Sequence, residues 1–216
     1  MSTLPQRPTL ETLFIPGPSG PLEALVETPP ADGPVHNVAV ICHPHPVYGG
    51  TMTNKVVHML AKACNELGLP AVRFNYRGVG KSAGAYDEGG GETDDTLAAL
   101  DWARSRWPDA ALWLGGFSFG GAVAIRAAAL REVRRLITVA PAIDRVRVDT
   151  TRLPACPWLI VQGDSDELVD PARIEAWVAT LAASPELVML QGVEHFFHGR
   201  MNDLRTAVLD WVRRTS

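Results

Sequence analysis

Short apolar runs rich in branched residues alternate along this chain with segments whose apolar positions recur every three to four residues. The first pattern predicts strands and the second predicts amphipathic helices. Two runs, at 13–16 and 22–28, flank the spacer Gly17-Pro18-Ser19-Gly20, which predicts an antiparallel hairpin. The Pro/Gly-rich segment 29–37 reads as loop. A strand at 38–42 follows, then a helix with Val57, Leu60, Ala61, Cys64 and Leu67 at helical spacing, closed by Gly68. Next come a strand at 71–76, a glycine-dense loop at 78–91 and a helix carrying Leu97, Leu100, Ala103 and Trp107 that stops at Pro108. Strands at 111–117, 136–140, 158–162 and 187–190 alternate with helices at 121–130 and 172–181. A last helix shows Met201, Leu204, Val208, Trp211 and Val212 on one face. An antiparallel entry followed by repeated strand–helix units predicts a mostly parallel, twisted α/β sheet flanked by helices. No linker, repeat or low-complexity tract divides it, so residues 1–216 read as one domain. In such sheets reactive groups gather at the carboxyl ends of the strands.

Composition narrows function more than fold. With 46% hydrophobic and 20% charged residues the chain can build a large core. A net charge of −4 argues against nucleic acid as a partner. The densest basic cluster, Arg131, Arg134 and Arg135, falls where a helix is expected to end and its charge answers the helix dipole. Cys42, Cys64 and Cys156 are odd in number and wrongly spaced for zinc, which predicts reduced thiols and no disulfide framework. The N-terminal MSTLPQRPTLETLF lacks the charged-then-apolar order of a signal peptide. No apolar run approaches the ~18 residues of a membrane span. These readings predict a cytoplasmic protein acting on a small molecule, without membrane contact.

Chemistry enters with Gly116-Phe117-Ser118-Phe119-Gly120. An apolar strand leads in, and the small-residue run Gly121-Ala122-Val123-Ala124 leads out into a helix. That strand–turn–helix setting is the one a nucleophile elbow of the α/β-hydrolase fold requires. An ordinary glycine-rich turn bearing an exposed serine is the plainer alternative. A serine hydroxyl needs a base to remove its proton and a carboxylate to orient that base. In the expected order, acid then histidine, 158–162 is followed by Asp164, Asp166, Glu167 and Asp170, and 187–190 by His195 and His198. Asp170 precedes Pro171 and reads as a helix N-cap, and Asp164 lies close enough to the strand to brace the turn. Asp166 is the preferred acid, and His195, directly after the strand, is the preferred base. His198 falls at the start of the last helix and reads as structural or rim-lining.

His43-Pro44-His45-Pro46 follows the third strand, where one oxyanion donor belongs. A metal would want at least three protein ligands, and no third is apparent, so neither metal nor cofactor is expected. Prolines cannot donate, which leaves the backbone N–H of His45, Val47 or Tyr48 as first donor, with His45 preferred, and that of Phe119 as second. The tract Arg77-Gly78-Val79-Gly80-Lys81-Ser82 lacks phosphate-loop spacing and reads as a flexible loop near the rim of the site.

Three segments carry a family resemblance: 43–52 (HPHPVYGGTM), 73–80 (RFNYRGVG) and 116–121 (GFSFGG). Together they resemble a family of small bacterial α/β-hydrolases, predicted hydrolases or esterases with dienelactone-hydrolase-type enzymes as more distant relatives. The resemblance runs from about Thr12 to the end and implies a Ser-Asp-His triad, falling here on Ser118, Asp166 and His195. Pro44 after His43 departs from the commoner His-Gly oxyanion turn of the superfamily. The reading is thus a cofactor-independent serine hydrolase cleaving a small carboxylic ester through an acyl-enzyme on Ser118. A peptidase or acyltransferase on the same triad, or a non-catalytic binding module of hydrolase fold, are the alternatives. The segment 141–157 between two late strands is too short for a cap domain, which predicts an open site bounded mainly by loops such as 78–91.

Overall fold

The computed structural model describes residues 7–30 and 33–215. The first six residues and residues 31–32 of the predicted 29–37 loop lie outside that range. Eight strands form one sheet in the order β1-β2-β4-β3-β5-β6-β7-β8. β1 (Thr9–Gly17) and β2 (Gly20–Thr28) make the expected hairpin, with Gly17 opposite Gly20. β2 also runs antiparallel to β4 (Ala71–Phe74). From there on, β3 (Asn37–Cys42), β5 (Ala111–Phe117), β6 (Arg135–Val139), β7 (Trp158–Gly163) and β8 (Glu186–Leu190) pair in parallel. The carboxyl ends of all these parallel strands therefore point the same way.

Strands β3 to β7 read as continuous apolar runs because helices cover both faces of the sheet. In β3, Val38 and Val40 face one core and Ala39 and Ile41 the other, as the two-residue period of a strand dictates. On the first face lie α2 (Gly90–Arg106), α3 (Phe119–Leu130) and α4 (Pro171–Ala179), through Leu100, Ala124 and Ile174. On the second lie α1 (Lys55–Glu66) and α5 (Met201–Thr215), through Val57, Leu60, Leu204 and Val208. Segment 141–157 crosses from β6 to β7 as turns and irregular chain, with no cap domain over the strand ends.

Three details differ from the sequence reading. Strand β4 ends at Phe74 instead of residue 76, because the next two residues leave the sheet to hold a neighbouring loop. Arg135 lies within β6, where its guanidinium stacks between Trp113 and Trp211 at 5.2 and 5.1 Å from the ring centres; only Arg131 sits at a helix end, paired with Asp101. Third, the glycine-rich tract after β4 is tied down along its length. The Arg77 guanidinium grips both carboxylate oxygens of Asp95 in α2, at 3.0 and 2.8 Å, and the Arg77 backbone N–H adds a third bond. Ser82 donates to the Asn75 carbonyl and accepts from the Glu23 N–H, while Glu23 accepts from Lys81 N–H. Gly78 and Gly80 adopt positive φ (73° and 57°) to make so tight a path. Glycine here provides curvature, not mobility.

The Arg77–Asp95 pair sets a stability prediction. Asp95 is fully buried and Arg77 is only 8% exposed. Removing one partner strands a buried charge, so Asp95→Ala should cost about 3–5 kcal/mol. The double change Asp95→Leu with Arg77→Met should cost markedly less, because it strands no buried charge and leaves only the Arg77 N–H without its acceptor. Urea unfolding of the three proteins checks both; equal losses in the single and double variants would contradict the pairing argument.

Candidate active site

The sharpest bend in the sheet region follows β5. Ser118 adopts φ 55° and ψ −119°, a conformation that side-chain-bearing residues rarely occupy, and α3 begins at the next residue. The bend is held on both sides: Ser118 N–H donates to the Val139 carbonyl, and the Ser118 carbonyl accepts from Ala122 and Ala142 N–H. A Cβ at Gly120 would sit 2.3 Å from the His43 carbonyl oxygen, so only glycine lets the first turn of α3 approach the end of β3.

Across the ends of β7 and β8 the backbones also touch. A Cβ at Gly163 would lie 2.1 Å from the Val193 carbonyl oxygen. This contact sets the loop bearing Asp166 against the loop bearing His195. His195 Nε2 stands 3.1 Å from Ser118 Oγ, and its Nδ1 stands 2.8 Å from Asp166 Oδ2. The three residues are 2%, 9% and 6% exposed for His195, Ser118 and Asp166. Phe117 and Phe196 pack on two sides of the imidazole, with ring centres 5.0 and 5.1 Å away.

Burial works against charge on Asp166, but hydrogen bonds from His195 and from the Val169 and Leu168 N–H groups outweigh it and hold the carboxyl below its usual pKa. An ionised Asp166 fixes the tautomer of His195: Nδ1–H donates to the carboxylate, which leaves Nε2 to accept from the serine hydroxyl. Gln162, which the sequence reading passed over, donates from Nε2 to Asp166 Oδ2 at 2.9 Å and to the Val169 carbonyl. A lone polar side chain in the apolar strand Trp-Leu-Ile-Val-Gln was the signal that could have found it. The other carboxylates take different posts. Asp164 accepts from Gly192 N–H at 2.7 Å, Asp170 caps α4 through Ala172 N–H, and Glu167 accepts from the His195 N–H. His198 is exposed and pairs with Glu194.

The loop after β3 closes the site from the other side. His45 Nδ1 accepts from Val47 N–H, and the His45 carbonyl accepts from Tyr48 and Gly50 N–H. Of the three donors weighed from sequence, Val47 and Tyr48 are thus engaged within the loop. Among the described residues the N–H groups of His45 and of Phe119 have no hydrogen-bond partner. The His45 ring packs against Phe119 and Tyr86, and its Nε2 lies 3.2 Å from the Tyr86 hydroxyl. His43 is wholly buried: its Nε2 accepts from Tyr76 N–H at 3.0 Å, so its Nδ1–H donates to the Pro44 carbonyl at 2.6 Å. The second motif completes the hold, since Arg73 donates to the Met52 carbonyl and Asn75 accepts from Met52 N–H.

Beside Ser118 opens a cavity of about 490 Å³. Its walls come from Pro44, His45, 48–50, Asn54, Phe119, Ala142, Arg145, Leu168, Val169, His195 and Phe196. The tract 78–91, expected at the rim, does not line it; Lys81 N–H is bonded to Glu23, and the Tyr86 hydroxyl meets His45, which does line the cavity. Among the described residues no group of three His, Cys, Asp or Glu side chains is placed to share a metal ion, and no helix is long and apolar enough to cross a membrane. The three cysteines stand apart as free thiols, with burial pushing Cys42 up to about 11 and Cys64 up to about 12.

A parallel-led sheet with a strained serine at one strand end and histidine and aspartate on the loops after two later strands defines an α/β-hydrolase. The chain belongs to the α/β-hydrolase domain family, whose model matches residues 39–213. It is similar to the crystal structure of an α/β serine hydrolase without lid from Xanthomonas campestris. That likeness has a TM-score of 0.88 and 45% identity, and covers 99% of this chain and 97% of that one. An α/β serine hydrolase homologue from Coxiella burnetii superposes with a TM-score of 0.86 at 45% identity, over 93% and 96% of the two chains. An uncharacterized protein of Rickettsia prowazekii is 32% identical over 93% of this chain and 87% of its own length.

His43 gives the site a pH signature. Burial lowers its pKa from 6.5 to about 4, against the opposing bond to the Pro44 carbonyl. Between those values the unfolded chain binds a proton that the folded chain does not, so stability falls as pH drops from about 6.5 toward about 4. The loss should reach on the order of 3 kcal/mol at the acid end. Unfolding in urea at about pH 7 and about pH 5 should show about 2 kcal/mol of this loss in the wild type and none of it in His43→Gln. Equal losses in both proteins would remove His43 as its source.

Proposed function

We propose that this protein is a cofactor-independent serine hydrolase that cleaves small carboxylic esters through an acyl-enzyme on Ser118. The observation that carries the reading is the unbroken line from Ser118 Oγ through His195 to Asp166, at 3.1 and 2.8 Å. His195 Nε2 removes the hydroxyl proton as Oγ attacks the ester carbonyl, and Asp166 steadies the imidazolium that forms. The negative charge on the carbonyl oxygen is received by the N–H groups of Phe119 and His45, which are preorganised and otherwise unbonded. Collapse of the tetrahedral species expels the alcohol, protonated by His195. Water then enters by the same base, and the acid leaves. Asp166 is the acid in this account, with Asp164 occupied in joining the two loops.

Ser118→Ala should lose essentially all turnover while keeping its fold, since only the acceleration from binding and the oxyanion donors remains. Asp166→Asn should lose several orders of magnitude in kcat, on the order of the ~10⁴-fold seen when a triad carboxylate becomes an amide. Steady-state kinetics on one soluble ester checks both. A larger loss in Asp164→Asn than in Asp166→Asn would reassign the acid.

With no cap domain over the strand ends, the site can desolvate only a short acyl chain. Each further methylene contributes ~0.8 kcal/mol only when buried. The best kcat/KM is therefore expected for p-nitrophenyl esters of roughly two to six acyl carbons, with no activation at a lipid interface. A strong preference for long-chain emulsified esters would contradict the open site.

A further inference from the structure

The cavity beside Ser118 is lined by one cation and, among the described residues, by no carboxylate, although the whole chain carries a net charge of −4. That cation is Arg145, in the segment between β6 and β7. Nearby, Asp144 pairs with Arg173 at 2.7 Å, Asp149 accepts from Thr151 and Arg152 donates to the Ala129 carbonyl, while Arg147 does not line this cavity. The Arg145 side chain, by contrast, has neither an ion pair nor a hydrogen bond among the described residues. Its backbone is fixed, with the N–H bonded to the Ala142 carbonyl. Ala142 in turn is tied to the Ser118 carbonyl, so the arginine is one short turn from the elbow.

Its charge reaches the cavity wall: burial, and after it the Arg145 charge, lowers the pKa of His45 on the opposite loop. Tyr48, Leu168 and Phe196 stand exposed on the same cavity and give it an apolar rim. A guanidinium presents a planar fork of donors that matches a carboxylate in two bonds at once. A ligand that places its ester at Ser118, methylenes against the apolar rim and a carboxylate at the guanidinium would meet the serine, the rim and the cation together.

We propose that Arg145 recognises a carboxylate on the substrate, so that the site is specific for short esters carrying a second, ionised acid group. The inference rests on the serine-hydrolase reading above. Labelling by a neutral fluorophosphonate is measured first, to separate failure of the two. Then kcat/KM is compared for mono-p-nitrophenyl adipate and for the same ester with its free acid capped as methyl ester, each corrected for hydrolysis without protein. The wild type should favour the charged ester roughly tenfold at low salt, the scale of a charge-assisted bond at a partly exposed site, and the preference should shrink as salt rises. Arg145→Gln should bring that ratio to about one, Arg145→Lys should keep part of it, and Arg145→Glu should turn it toward a choline-capped ester. Protein that takes the label at Ser118 but shows no charge preference, or keeps the preference in Arg145→Gln, overturns the Arg145 assignment alone. Protein that neither takes the label nor hydrolyses either ester overturns the assignment together with the reading beneath it.

Discussion

The first turn of α3 lies against the end of β3 so closely that no side chain fits between them: a single carbon at Gly120 would meet the His43 carbonyl oxygen at 2.3 Å. This backbone contact is the constraint on which the site depends. It sets the strained Ser118 and the free Phe119 N–H on one side and the loop carrying the free His45 N–H on the other. A second contact of the same kind, Gly163 against Val193, brings the aspartate and histidine loops together. Two glycine contacts thus bring four strand ends to one place. Hydrogen bonds between side chains then adjust the distances to within reach of proton transfer.

The residues at the end of β4 and just past it explain why the loop after β3 keeps its shape without regular structure. A loop whose polar backbone is partly buried must find partners for it. Arg73 and Asn75 take both backbone groups of Met52, Tyr76 offers its N–H to His43, and Arg77 anchors the following turn to α2 through Asp95. One short stretch holds the loop from its first residue to nearly its last. The cost of burying these backbone groups is offset by the bonds they make to Arg73, Asn75, His43 and Asp95, which leave the N–H groups of His45 and Phe119 in fixed positions.

Much of this architecture was legible in the sequence. Period-two and helical spacing locate the strands and helices, and Gly-Phe-Ser-Phe-Gly between a strand and a small-residue helix marks the bend at Ser118. The order of the loops after β7 and β8 narrows the acid and base to four carboxylates and two histidines, and of these Asp166 and His195 stand in line with the serine. What stayed hidden was the work of residues whose partners are distant in the chain. Glycines 78 and 80 read as freedom because composition does not reveal Asp95 and Glu23, which fix the path they turn. Arg135 read as a helix-end charge because its stacking partners, Trp113 and Trp211, lie on two other elements. Gln162 and Arg145 carry no motif at all, and only position within the fold makes them notable.

The central claim is that Ser118 becomes covalently acylated. Incubating the protein with p-nitrophenyl acetate, quenching in acid within the first turnovers, and then measuring intact mass with peptide mapping tests it directly. The account predicts an added mass of one acetyl group, confined to the peptide and residue of Ser118 and absent from Ser118→Ala. Hydrolysis by the wild type with acetyl found on another residue, or at an undiminished rate in Ser118→Ala, would contradict it.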